Sequence, residues 1–262
     1  MAHLTLERDG HVAIVTMNRP EARNAWSLEL MARMADAWDT IDGDPEIRAA
    51  VFTGAGGNFC AGADLKLMHA DQSDNPWHKR FKDDPDLHWR AMLRSRRLAK
   101  PLIAAVEGYA LGGGTEILQC TDIRVAAESA VFGLTEAALG LFPLGGSTVR
   151  LQRQIPRTVA LEMLLTGRRV SAQEALSWGL VGRVVPEGQA LETARQIAQQ
   201  IAANGPVAVQ AIKKSVYESA DLDEAEGLAL ELAIGGPVFK TRDAREGPKA
   251  FAERRKPVFE GR

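Results

Sequence analysis

The sequence predicts an α/β fold, and three observations carry that prediction. Short β-branched apolar runs alternate with stretches of helical periodicity through the first two thirds of the 262 residues. The last stretch, about 70 residues, keeps helical spacing throughout. A composition of 45% apolar and 25% charged residues is that of a chain that buries its own core without staples.

Taken in order, His11–Met17 reads as a strand closed by the turn-like Asn18-Arg19-Pro20. Ser27 can cap a helix whose Leu30, Met31, Met34, Trp38 and Ile41 share one face, and Asp42-Gly43-Asp44-Pro45 ends it. Ala49–Thr53 is a buried strand entering Gly54-Ala55-Gly56-Gly57, and Pro101–Val106 is another opening onto Gly108. Asp122–Ala126 and Gly182–Pro186 add two more, and Ser171-Ala172-Gln173-Glu174 is a capping box for a short helix. These five strands fall short of the eight βα units of a TIM barrel. Leu191, Ala194, Ile197, Ala198 and Ile201 then mark a helix broken at Asn204-Gly205-Pro206, followed by helical patterns over 207–219, 222–232 and 244–255. The expected division is an α/β core at 1–195 and a helical region at 196–262. Residues 69–89, carrying Trp77, Phe81 and Trp89, form a polar insertion that reads either as an aromatic-anchored surface loop or as a lid or pocket wall.

Charge and composition remove several function classes. With 32 basic against 34 acidic residues, no global positive field exists to gather nucleic acid or an anionic membrane. Two cysteines, Cys60 and Cys120, cannot make a disulfide framework, so a reducing cytoplasm is expected and both read as packing residues. The first ten residues lack a signal peptide's apolar core, and no run approaches the roughly 18 apolar residues of a membrane span. The five histidines show no zinc-like pairing with cysteine, and no metal is expected. Arg90, Arg94, Arg96, Arg97 and Lys100 form a basic cluster on a stretch read as helical: a solvated face, or a phosphate or RNA contact.

No Walker loop or nucleophile elbow occurs, and Gly54-Ala55-Gly56 has Phe59 where a dinucleotide fingerprint needs its third glycine. Two small-residue turns at strand-to-helix junctions stand out instead, Asn58–Lys66 and Glu107–Glu116. Each leaves backbone N–H groups without intrahelical partners and lets a ligand oxygen approach. Together they could aim two donors at one carbonyl oxygen, or simply permit tight packing. Glu116 follows three glycines, and Glu136 lies in Phe132-Gly133-Leu134-Thr135-Glu136. Carboxylates among small and apolar residues gain raised pKa values and become acids or bases near neutrality, although Glu116 could equally complement a helix terminus and Glu136 be a surface acid.

Asn18–Pro20, Phe59–Asp64, Gly108–Glu116, Phe132–Glu136 and Leu176–Val181 together resemble the crotonase (enoyl-CoA hydratase/isomerase) superfamily, in order and over nearly the whole chain. Residues 245–256 are similar to that family's last helix. The resemblance implies a spiral of ββα units carrying an acyl-CoA site, then a C-terminal helical trimerisation region, assembled as a homotrimer or dimer of trimers. It implies no metal or redox cofactor, coenzyme A arriving as part of the substrate. By position, Ala63 and Gly113 would supply oxyanion donors and Glu116 and Glu136 the catalytic carboxyls. Arg23, Ala25, Ala61, Asp64, Leu65 and Lys66 would cradle CoA, with Phe251 and Arg254 reaching CoA in a neighbouring subunit. Glu21 departs from the basic residue often found there, and Phe142-Pro143-Leu144-Gly145-Gly146 departs from the usual pattern near the pocket. The implied reaction is syn addition of water to a trans-2-enoyl-CoA. Isomerisation, or dehydration of a specialised acyl-CoA, are the alternatives on the same scaffold, with an RNA-binding or non-catalytic acyl-CoA-binding member further off.

Overall fold

The computed structural model of the protein describes residues 1–68, 70 and 73–262. His69, Asp71 and Gln72 of the polar insertion lie outside the described residues.

The chain opens with an antiparallel hairpin of β1 (Leu4–Asp9) and β2 (Val12–Met17). Next comes α1 (Leu28–Gly43), capped by the Ser27 hydroxyl, which accepts the Leu30 N–H at 3.2 Å. Its five expected apolar positions are all buried, with Trp38 packed edge-on to Phe52 at 5.2 Å. β3 (Ala49–Gly54) leads to the short α2 (Leu65–Met68), and the insertion folds into α3 (His78–Asp83) and α4 (Leu87–Ala91). The insertion is therefore partly helical: Trp77 and Phe81 anchor it on the core, and the Trp38 Nε1–H donates to the Ala91 oxygen at 2.9 Å.

From β4 (Leu102–Val106) the chain alternates between two sheets: β5 (Tyr109–Leu111) then α5 (Gly113–Leu118), and β6 (Ile123–Ala127) then β7 (Val131–Gly133). α6 (Ser147–Arg150), α7 (Arg157–Thr166), β8 (Arg169–Ser171), α8 (Ala172–Ser177) and β9 (Arg183–Val185) follow. The capping box at Ser171 and Glu174 forms as its sequence predicts. One sheet runs β1-β2-β3-β4-β6-β9, parallel beyond the first hairpin; the other runs β5-β7-β8. A bridge from Cys60 to Ala110 joins the loop after β3 to the second sheet, so successive turns each send one segment to each sheet before a helix. That is the expected ββα spiral.

Alternate residues of the central strands enter two cores. Val15, Phe52 and Ala104 pack toward α1, whereas Ile14, Val51 and Ile103 pack against α9 (Ala190–Ala202) through Ala194, Ile197 and Ala198. Burial on both faces explains the near-continuous apolar strands. The division expected between residues 195 and 196 falls inside α9, a helix of the core. Beyond it lie α10 (Pro206–Glu218), α11 (Glu224–Gly235) and α12 (Asp243–Ala252). α10 is tied back through Asp122, which accepts from Lys213 Nζ at 2.7 Å and Tyr217 Oη at 2.8 Å.

The basic cluster is helical only at Arg90, and most of its charge is paired although Arg94 and Arg97 stay exposed. α4 ends at Ala91, so Arg94 to Lys100 follow it outside a helix. Arg90 pairs with Asp39 and Asp84, Arg96 pairs with Asp39 and Asp42, and buried Lys100 donates to the Ile41 and Asp44 oxygens. Arg97 lies over the Tyr217 ring at 3.6 Å. Acids spaced along α1 consume charge that the sequence alone leaves open. Among the described residues, no helix is long and apolar enough to cross a membrane.

Candidate active site

Both small-residue turns converge on one cleft of about 330 Å³, and Glu116 and Glu136 line it together. The second turn is fixed first. The Thr115 hydroxyl donates to the Ala110 oxygen at 2.5 Å and accepts the Gly133 N–H at 3.2 Å, locking α5 between β5 and β7. Gly112 takes φ 52°, and a Cβ there would stand 3.1 Å from Glu136 Oε1, which places that carboxylate over the Gly112–Gly113 turn.

The first turn is pressed against the second. Cys60 N–H donates to the Tyr109 oxygen at 2.8 Å, and Leu111 N–H donates to the Cys60 oxygen at 2.9 Å. Gly62 has φ +89°, and a Cβ on it would come within 2.7 Å of the Leu111 oxygen and 3.3 Å of the Gly113 nitrogen. Only a residue without a side chain permits that approach. Trp26 braces both turns, a role its sequence position does not reveal. Its N–H donates to the Gly62 oxygen at 2.9 Å, and its ring lies 2.7 Å from where a Gly113 Cβ would be. In a trans peptide the N–H points opposite the carbonyl. Holding the Gly62 oxygen at Trp26 therefore directs the Ala63 N–H away from it. Among the described residues, neither Ala63 nor Gly113 donates its N–H to a protein acceptor, and both residues line the cleft.

The two carboxyls occupy different surroundings. Glu116 is buried at 4% exposure, and its Oε1 accepts the Ser147 N–H at 3.2 Å. Burial raises its pKa, opposed by hydrogen bonds from Ser147, Gly145 and Gly146. Glu136 Oε2 is buried without a partner, and burial, reinforced by the nearby Glu116 charge, lifts its pKa to about 7. Environment thus separates a carboxyl favoured as the ionised partner from one that holds its proton near neutrality. Beyond them the wall is apolar, built by Leu65, Met68, Trp89, Met92, Leu141 and Phe142. The departing Phe142–Gly146 segment forms part of that wall, and the insertion contributes His88 and Trp89.

The residues expected to cradle CoA lie along one loop system. Arg23 is exposed at φ 50°, its guanidinium 5.2 Å from the Tyr109 ring centre, and its carbonyl accepts the Ala61 N–H at 2.9 Å. The Ala25 oxygen accepts from Arg19 at 2.5 Å. Asp64 is committed to the turn itself: it pairs with Arg19 at 3.2 Å and accepts the Lys66 and Leu67 N–H groups. Leu65 and Lys66 are exposed at the start of α2. Buried Asn24, which sequence reasoning passes over, fastens the loop by donating to the Ala55 and Asn58 oxygens at 2.9 and 2.7 Å. Phe251, on α12, and Arg254, just after it, are exposed and do not line this cleft. Cys60 and Cys120 are buried and free, and burial pushes the Cys60 thiol up to about 12. Among the described residues, no three His, Cys, Asp or Glu side chains converge to hold a metal.

Known proteins share this architecture and its sequence. The profile of the enoyl-CoA hydratase/isomerase family matches residues 7–262. An enoyl-CoA hydratase of Mycobacterium tuberculosis, EchA19, is 56% identical over 98% of this chain and 96% of its own length. The (E)-benzylidenesuccinyl-CoA hydratase of Thauera aromatica is 40% identical over 98% of this chain and 99% of its own. The crystal structure of an enoyl-CoA hydratase from Bacillus anthracis superposes with a TM-score of 0.91 at 38% identity, covering 99% of this chain and all of that one. The chain belongs to the enoyl-CoA hydratase/isomerase family.

Proposed function

We propose that the protein is an enoyl-CoA hydratase adding water reversibly and with syn geometry across a trans-2-enoyl-CoA. The observation that carries this reading is the convergence of two unlike carboxyls and two unpaired backbone N–H groups on one cleft. The Ala63 and Gly113 N–H groups grip the thioester oxygen. Glu116, ionised, takes a proton from water as the water oxygen bonds to the β-carbon. The alkene electrons shift onto the thioester oxygen, where the two donors stabilise the enolate. One such donor contributes about 2.7–4 kcal/mol to lowering a barrier. Glu136, protonated, then gives its proton to the α-carbon, and exchange with water in the cleft returns both carboxyls to their starting states. Dehydration is this sequence reversed. An isomerase needs only one shuttling carboxyl, so the pair favours hydration.

Arg23, Ala25, Ala61, Asp64, Leu65 and Lys66 form the loop system along which CoA would lie, Asp64 by shaping the turn. Phe251 and Arg254 would reach the CoA of a neighbouring subunit in a homotrimer or a dimer of trimers. The reading needs neither metal nor redox cofactor, since backbone amides carry the developing charge, and it suits a cytoplasmic enzyme of acyl-CoA breakdown. Glu116→Gln and Glu136→Gln should each lower kcat for crotonyl-CoA hydration by about 10²–10⁴-fold, with CoA binding retained. Loss of enoyl-thioester absorbance follows the reaction, and full activity in the double variant would remove the mechanism.

A further inference from the structure

We infer that His88 reads a hydroxyl or keto oxygen on the acyl group, several bonds beyond the reacting alkene, so that oxygen-bearing enoyl-CoAs are the preferred substrates. This rests on the hydratase reading only for where the acyl chain lies. His88 interrupts the apolar wall of the cleft, half-buried and edge-on to Trp89 with ring centres 4.7 Å apart. Among the described residues, no hydrogen bond or ion pair recorded in the protein reaches its ring, whereas His3 and His11 both find partners. A neutral imidazole offers one donor and one acceptor, which suits either a hydroxyl or a keto group. Burial holds its pKa below the ordinary value, so it is neutral at physiological pH.

Its distance from the chemistry follows from α4. Met92 lies one helical turn after His88, its N–H donating to the His88 oxygen at 3.2 Å. The Met92 methyl and Glu116 Oε2 flank the same point, 2.3 and 2.7 Å from where a Gly145 Cβ would be, so Met92 stands beside the carboxylate. His88 is one turn further out, about 5–6 Å along the helix face. A hydrocarbon acyl chain covering that ring would strip its water and leave donor and acceptor unmade. An oxygen placed there restores one of them. Sites built to hydrogen-bond a substrate oxygen discriminate strongly against the analogue lacking it.

The test compares trans-2-enoyl-CoAs of equal length with and without a keto or hydroxyl oxygen, moved stepwise along the chain. Calorimetric binding of the matching saturated acyl-CoAs is measured in parallel. The wild-type protein should favour the oxygenated member at one position of the ladder by about 10-fold or more, in kcat/KM and in Kd. His88→Phe should flatten that ratio, and His88→Gln, which keeps a donor and an acceptor, should preserve part of it. Equal handling of both series by the wild type, or a ratio unchanged in both variants, overturns the inference. A binding preference that disappears in His88→Phe while no enoyl-CoA is hydrated would sink the hydratase reading and leave the contact standing.

Discussion

Glu116 and Glu136 show how two identical side chains, both pushed up by burial, are set apart by their neighbours. Backbone donors around Ser147 offset part of the burial penalty at Glu116, whereas Glu136 Oε2 has no partner to do so. The consequence reaches stability as well as chemistry. Glu136 has a folded-state pKa of about 7 against an ordinary 4.5, so between those values the folded protein binds more protons than the unfolded chain. Stability must therefore fall as pH rises through that window, reaching its full loss above pH 7, while below pH 4.5 both states are protonated and no loss remains. The loss is on the order of 1–3 kcal/mol. Glu136→Gln, which cannot ionise, should be more resistant to urea than the wild type at pH 8, with the gap closing toward pH 5. A gap independent of pH, or one favouring the wild type at pH 8, would show that Glu136 is solvated and unable to act as the acid.

The elements around the site depend on a few residues that hold loops rather than touch a ligand. Asn24 sits at φ 57° with no exposure, its amide spanning two carbonyls and its Oδ1 accepting the Arg19 N–H at 2.8 Å. Asparagine tolerates that backbone conformation, and alanine would both strain it and strand three part-buried polar groups. Asn24→Ala should lower stability by about 2–4 kcal/mol in chemical denaturation and weaken CoA binding, because the 19–25 and 55–64 loops lose their shared fastening. A fully stable variant with native CoA affinity would contradict this account of the loop. The same elements show what periodicity can read. β2, β3, β4 and β6 are legible because apolar, β-branched runs answer burial on two faces, whereas the short edge strand β9 is legible only through its paired valines bracketed by Gly182 and Pro186. β5, β7 and β8 span three residues each, too few for any period, and they are the strands that form the second sheet. β1 is mostly exposed and offers little apolar signal. At the site, glycines and acids are visible as motifs. Trp26, Met92 and His88 enter the cleft by packing between segments far apart in sequence, which no local pattern encodes.

At the scale of the whole molecule, the core and the C-terminal helices obey different rules. The sheet cores are covered on both sides, whereas α10 and α11 bury no residue and present Ile212, Val216 and Leu232 at 64%, 63% and 75% exposure. Phe239, following α11, is 82% exposed beside them, and these side chains line a shared apolar groove of about 520 Å³. Apolar surface concentrated in this way marks an interaction face rather than scattered exposure. α10 cannot fold down to hide it, since Lys213 and Tyr217 already fix its other side to Asp122. Association with further copies of the chain, as proposed, would also give exposed Phe251 and Arg254 a ligand to meet. Light scattering should therefore give three times the 28.4 kDa chain mass, or six times it. Ile212→Glu combined with Leu232→Glu should reduce that mass toward a single chain. Because the substituted positions are solvent-facing within one protomer, helical content should survive, while CoA affinity falls with the lost neighbour. A wild-type protein that runs as a monomer and binds CoA at full strength would leave those helices without the role argued for them, and would place Phe251 and Arg254 outside the site altogether.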